Sequence, residues 1–116
     1  SQETHVYTIR RIFKTQPGQA RAVAELLYKQ ASIYRDAGHR SEFTVQYNGY
    51  TLPGEQNVVI LQWTDSSIMS PSRPGNDLPK EALEVGAEVR KLIESQRIEF
   101  LEMYPPDLKA LAVFVK

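Results

Sequence analysis

The chain has 116 residues, which is typical of one domain, and 14 basic and 14 acidic residues give it a formal net charge of zero. This balance gives no electrostatic reason to expect a nucleic acid or an anionic membrane as partner, and no run approaches the ~20 apolar residues of a membrane span. Cysteine is absent, which excludes disulfides, zinc–cysteine sites, iron–sulfur clusters and thiol catalysis.

The first half of the chain predicts a strand, a helix and a β-hairpin. Residues 5–14 are rich in β-branched and aromatic side chains, as strands are. Apolar side chains recur every three to four positions over residues 18–37, which predicts a helix that ends at Gly38. Strands over 41–52 and about 57–64 flank a Pro-Gly turn, so we expect them to pair as a hairpin.

The second half predicts a loop, a long helix and a last strand. Residues 65–79 are rich in proline and serine and form the longest irregular segment, which makes them a candidate lid. Helical spacing predicts a helix over 80–103, stopped by Pro105, and residues 108–115 predict the last strand. The order β-α-β-β-α-β predicts an α+β, ferredoxin-like fold, a four-stranded antiparallel sheet with both helices on one face, in one domain over residues 1–116.

The third strand is apolar on both faces. Val58 and Ile60 share one parity, and Val59, Leu61 and Trp63 share the other. Two helices cover only one face of a sheet, so a second copy of the sheet is the simplest cover for the other face. The pattern therefore predicts a homodimer whose two sheets close into a dimeric α/β barrel.

Short motifs resemble the dimeric α/β barrel superfamily, in particular its NIPSNAP-like and antibiotic-biosynthesis-monooxygenase-like members. Arg11 and Phe13 followed by Pro17-Gly18 are similar to the first-strand pattern of the NIPSNAP-like group, and Asn57 opening an apolar run that Trp63 closes is similar to its third strand. The chain departs from that group at residues 69–79. The resemblance implies a dimeric barrel, within a superfamily that includes cofactor-independent monooxygenases, isomerases, cyclases and heme proteins.

Arg10 and Arg11 are the strongest polar candidates for a pocket. Adjacent residues of a strand point to opposite faces, so one of the two faces the interior, where it needs a partner such as Glu42, Asp65 or an anionic ligand. A structural ion pair is the competing interpretation. Neither His5 nor His39 has metal-ligand spacing or lies on the second helix, so we expect no metal, no heme and no other cofactor.

Aromatic and amide side chains are the remaining pocket candidates. Each has a structural alternative, namely cross-strand or interface packing for the aromatics and helix-end capping for the histidine. Trp63 walls a pocket if its face meets the helices and fills a subunit interface if its face meets the partner, and the sequence slightly favours the interface. These candidates are Tyr7, Tyr47, Tyr50, Gln62, Trp63 and His39.

Two functions fit these features almost equally. The first is binding or transformation of a small hydrophobic aromatic or carbonyl compound without metal or organic cofactor, as in a monooxygenase, cyclase or isomerase. The second is a non-catalytic homodimeric binding or scaffold protein. A nucleic-acid module is disfavoured because the sheet lacks a basic setting. A soluble, cytoplasmic protein is favoured, although a chain that starts at Ser1 leaves a removed leader open.

Overall fold

A computed structural model of the protein describes residues 6–68 and 74–105. The elements are β1 Tyr7–Thr15, α1 Ala20–Asp36, β2 Phe43–Asn48, β3 Val58–Asp65, α2 Lys80–Leu92 and β4 Ile93–Glu102. The predicted order and the antiparallel sheet are confirmed, with strand order β2-β3-β1-β4. Trp63 pairs with Phe43 of β2 and with Ile9 of β1.

The second helix is shorter than the sequence indicates, and the last strand comes earlier. The prediction of a helix to residue 103 is wrong, because α2 ends at Leu92 and Ile93 already has extended backbone angles. The main-chain N–H and side-chain amide of Gln16 donate to the carbonyls of Leu92 and Lys91, at 2.9 and 3.3 Å, and satisfy the helix end. The strand predicted at 108–115 lies outside the described residues. Within 6–68 and 74–105, neither helix is long and apolar enough to span a bilayer.

Both helices pack on one face of the sheet. The buried core joins Phe13, Val59 and Leu61 of the sheet to the apolar side of α1 and to Val89 of α2. Gln30 of α1 is buried and donates to the carbonyl of Ala82 in α2 at 3.1 Å, which ties the helices together. By alternation, Val58 and Ile60 lie on the opposite face, which both helices leave free.

Asn57 fastens the start of β3 to the turn after β1. Its carbonyl accepts from the Thr15 N–H at 2.8 Å, and its side-chain oxygen accepts from the Gly18 N–H at 3.1 Å. Asn57 has a φ of 56°, in the left-handed region that asparagine tolerates better than most residues. The asparagine and the Pro-Gly pair that carry the family resemblance therefore meet in one structural tie.

Candidate functional site

A cavity of about 640 Å³ lies between the sheet and the helices. The sheet contributes apolar walls from β1, β3 and β4, and the helix side contributes side chains from α1, α2 and the segment before α2. Its described polar residues include four arginines, whereas Asp65 alone supplies a carboxylate. The apolar walls are Ile9, Trp63, Leu78, Leu83, Ile98 and Phe100, and the arginines are Arg11, Arg40, Arg90 and Arg97.

Arg10 and Arg11 point to opposite faces, as predicted. Arg11 lies on the helix-facing side and lines the cavity, where it donates a 2.8 Å hydrogen bond to the side-chain oxygen of Gln96. Arg10 lies on the other face and pairs with Glu99 of β4 at 3.3 Å. Among the described residues no carboxylate lies within 4 Å of the Arg11 guanidinium, and Glu42 pairs with Arg35 instead. The structural ion pair thus belongs to Arg10, and the guanidinium in the cavity belongs to Arg11.

Arg40 places a second guanidinium at the cavity. It follows the end of α1, where Gly38 has a φ of 80° and turns the chain back. The guanidinium carbon of Arg40 lies 3.9 Å from the centroid of the Trp63 ring and 4.9 Å from that of Tyr34. Its Nη1 is buried and has no hydrogen-bond partner among the residues that the structure describes.

The two guanidiniums are expensive to keep charged in this cavity. Burial, and next to it the positive charge of Arg11, lowers the pKa of Arg40 to about 10. Burial likewise lowers the pKa of Arg11. A buried charge without a hydrogen-bonded counter-charge costs free energy, and the cavity supplies none within ion-pair distance among its described residues. The arrangement therefore favours the entry of an electron-rich group.

Trp63 lies on the helix-facing side and forms a wall of the cavity. It packs against the core beside Leu61, and its ring is one of the two on which Arg40 stacks. Of the two positions that the sequence left open for Trp63, this is the helix-facing one and not the slightly favoured interface. Tertiary packing decides which face of a strand meets the helices. When both faces are apolar, the local sequence does not indicate which face this is.

The other predicted candidates separate into those at the cavity and those away from it. His39 lines the cavity at its exposed rim, 6.4 Å from the Tyr34 ring centroid to centroid. Gln62 pairs with Arg10 in register and lies on the opposite face. Tyr7 lies at the beginning of β1, Tyr47 on β2, and Tyr50 after β2 with 69% exposure; all three are outside the cavity lining.

Asp65 has the turn role that its sequence context indicates. Its carboxylate accepts from the Ser67 N–H at 3.2 Å, just after β3. A second, more open depression of about 450 Å³ adjoins the cavity and shares His39, Arg40 and Asp65 with it. Arg40 thus lies where the two spaces meet.

Arg40 was absent from the candidates that the sequence supplied. Its local context, Gly38-His39-Arg40, is typical of a helix end whose basic residues are solvated. One signal was present in the sequence: Arg40 comes two residues after Gly38, and an αL turn at such a glycine carries the chain back toward the sheet. Its aromatic partners, Tyr34 and Trp63, lie six and 23 positions away in the chain.

The described cavity residues suit binding of a small polarised molecule better than binding of a metal. Within residues 6–68 and 74–105 no group of three or more histidine, aspartate or glutamate side chains is arranged to hold a metal ion. The guanidiniums of Arg11 and Arg40 offer N–H donors, and the aromatic and aliphatic walls offer apolar surface. The lining therefore combines hydrogen-bond donors with apolar surface.

Comparison with known proteins assigns the architecture. No family model and no curated protein matches the chain. The fold is that of the ferredoxin-like proteins. A dimeric protein of unknown function and ferredoxin-like fold from Bacteroides fragilis has a TM-score of 0.61 and 14% identity, over 84% of this chain and 96% of that chain.

Two further solved structures match the predicted resemblance, which they confirm at the level of the fold. A NIPSNAP family protein from Agrobacterium tumefaciens has a TM-score of 0.62 and 18% identity, over 92% of this chain and 93% of its own. A putative antibiotic biosynthesis monooxygenase from Chloroflexus aurantiacus has a TM-score of 0.60 and 19% identity, over 86% and 92%. At such identities the shared property is the fold, and the reaction is a separate question.

Proposed function

We propose that this protein binds a small hydrophobic aromatic or carbonyl compound in the cavity between the sheet and the helices. The observation that carries the proposal is the pair of guanidiniums, Arg11 and Arg40, beside the apolar walls that Trp63 and Phe100 provide. A cavity of about 640 Å³ falls within the ~300–1,000 Å³ range of small-molecule sites. The ring or chain of the ligand packs on the walls, and its oxygen accepts from a guanidinium.

The proposal extends to chemistry on that ligand without metal or organic cofactor, of the monooxygenase, cyclase or isomerase type. Donors that face a carbonyl or phenol oxygen stabilise the negative charge that develops there when a neighbouring proton leaves. One solved structure of this fold is described as a putative antibiotic biosynthesis monooxygenase. His39 and Asp65 at the rim are the candidates to accept the proton. The alternative is a non-catalytic binding protein. Recovery of the bound ligand unchanged after incubation with stoichiometric protein would favour this alternative.

The protein acts as a homodimer in this proposal. The face opposite the helices carries the half-buried Val58 and Ile60, and a second copy of the sheet buries such a face. A neighbour of the same fold is described as dimeric. The cavity lies on the helix side, so each protomer holds a complete site.

Trp63 fluorescence and equilibrium dialysis against a panel of aromatic ketones, phenols and aromatic acids test the binding proposal. We expect a subset of the panel to change the emission of Trp63, the only tryptophan in the chain, and to be retained in dialysis. Ile98 lines the cavity, so Ile98→Phe reduces the space and weakens retention at least several-fold.

Leu101→Phe is the matched control, because Leu101 lies on the same strand and is equally exposed, at 49%, but points to the other face. It should leave retention unchanged. Failure of every compound to bind the unaltered protein, or equal effects of the two substitutions, would contradict a site in this cavity.

A further inference from the structure

The charge of the cavity defines the ligand more narrowly than its shape does. Two guanidiniums, those of Arg11 and Arg40, face a space whose remaining walls near them are aromatic. Arg11 has an amide partner, Gln96, and among the described residues the contacts of the Arg40 guanidinium are the faces of two aromatic rings. A neutral carbonyl oxygen satisfies one donor but leaves the positive charges uncompensated.

Several alternatives on the helix side fail to supply the missing counter-charge. Asp65 lines the same cavity, but its carboxylate is beyond ion-pair distance of either arginine and accepts from Ser67. Arg97 also lines the cavity, but its guanidinium pairs with Glu99 at 3.5 Å. Arg10, on the opposite face, pairs with the same carboxylate. Arg11 and Arg40, by contrast, have no carboxylate within 4 Å among the described residues.

We propose that the ligand is an aromatic carboxylate, with its carboxylate between Arg11 and Arg40 and its ring against Trp63 and Phe100. This inference rests on the proposed function and names its ligand class. A planar carboxylate accepts two parallel N–H bonds from a guanidinium fork, and a second guanidinium compensates the remaining charge density. The buried Nη1 of Arg40 gains a partner when such a group enters.

Isothermal titration calorimetry with 2-naphthoate and its neutral analogue 2-naphthamide tests the assignment. Loss of a charge-assisted bond corresponds to an effect of roughly tenfold to a hundredfold. We expect the acid to bind at least about tenfold more tightly than the amide. Arg11→Gln and Arg40→Met should each weaken the acid by about tenfold or more, and should weaken the amide by a clearly smaller factor, because the amide loses a hydrogen bond but no ion pair.

Arg10→Gln is the matched control for Arg11→Gln, since the two residues are adjacent in sequence but lie on opposite faces. It should leave the affinity for 2-naphthoate unchanged. Thermal melting of Arg40→Met without ligand separates binding from folding: methionine keeps the contact with the rings and removes an uncompensated charge, so the melting temperature should stay the same or rise.

The outcomes distinguish this inference from the broader proposal. Equal binding of acid and amide, or no effect of either cavity substitution on the acid, overturns the carboxylate assignment and leaves a neutral-ligand site standing. Inorganic phosphate that binds as tightly as 2-naphthoate overturns it in favour of a general anion site. If neither naphthyl compound binds, the carboxylate assignment is also overturned. The proposed function itself is overturned only if no compound of the wider panel of aromatic ketones, phenols and aromatic acids binds.

Discussion

At the scale of single residues, the cavity depends on a cation that local sequence does not reveal. Arg11 could be anticipated on β1 because alternation forces one of two adjacent arginines inward. Arg40 reaches the same cavity only because α1 ends at Gly38 and the chain returns over Trp63. The pKa of Arg40, lowered to about 10 mainly by burial, marks the cost of that placement.

The linked pH dependence follows from the sign of that shift. The folded protein releases the Arg40 proton more readily than the unfolded chain does, so the charged arginine costs stability at neutral pH and this cost declines as pH rises above about 10. The other ionisable groups that line the cavity among the described residues are Arg11, Tyr34, His39, Asp65, Arg90 and Arg97. An anionic ligand makes the charged form of Arg40 favourable in the folded protein, because it stabilises the protonated guanidinium.

Asn57 offers a residue-scale test of how β3 is held. Asn57→Ala removes the bond to Gly18 and places a Cβ-bearing residue without a polar side chain at a φ of 56°. We expect a loss of about 2 kcal/mol in the free energy of unfolding, roughly half from each effect. Asn57→Gly loses the bond but accepts the backbone angle, so its loss should be nearer about 1 kcal/mol. Urea unfolding measures both, and a larger loss for glycine than for alanine would contradict this account.

At the scale of elements, the strands were easier to predict than the boundary between α2 and β4. The hairpin of β2 and β3 follows from two β-rich runs around a Pro-Gly turn, and its pairing from Phe43–Trp63 to Asn48–Val58 confirms it. Residues 93–102 satisfied a helical spacing through Gln96 and Phe100, yet Ile98 and Phe100 also alternate as a strand does. Pairing with the whole of β1 decided between the two, and such a long-range partner is invisible to a local pattern.

The same limit applies to the faces of the sheet. The apolar character of both faces of β3 was evident from Val58 to Trp63, but the side that would meet the helices was not. Once the helices cover Val59 and Leu61, Trp63 necessarily walls the helix-side cavity, and Ile60 belongs to the face left for a partner. The residues of β3 that point to the helices are thus the pocket candidates, and the alternate residues that point to the other face are the interface candidates.

The open face of the sheet predicts the assembly state. Light scattering should give a mass near twice 13.2 kDa, since a second sheet is the simplest cover for Val58 and Ile60. Ile60→Glu places a charge in that interface and should return the mass toward 13.2 kDa. Leu52→Glu, at a position 59% exposed in the β2–β3 connection, is the control and should leave the mass unchanged. A stable monomer at micromolar concentration for the unaltered chain would contradict the dimer.

At the scale of the whole molecule, we propose that the two sides of one sheet have different tasks. The helix side holds a cavity whose charge is uncompensated among the described residues, and the opposite side carries Val58 and Ile60 beside the Arg10–Glu99 pair. Proteins of this fold with under 20% identity to the chain include ones described as unknown, NIPSNAP and putative monooxygenase. The architecture is therefore common to them, and the fold alone does not determine the function of each one.

The most direct test of the central claim is the position of a bound aromatic acid, read from nuclear magnetic resonance of the ¹⁵N-labelled protein. Trp63 is the only tryptophan, so its indole N–H gives a single signal that needs no further assignment. Addition of 2-naphthoate should shift that indole signal together with the side-chain N–H signals of Arg40, and leave the side-chain amide of Gln62, on the opposite face, in place. Binding that moves Gln62 and leaves the Trp63 indole unchanged would contradict a ligand site between the sheet and the helices.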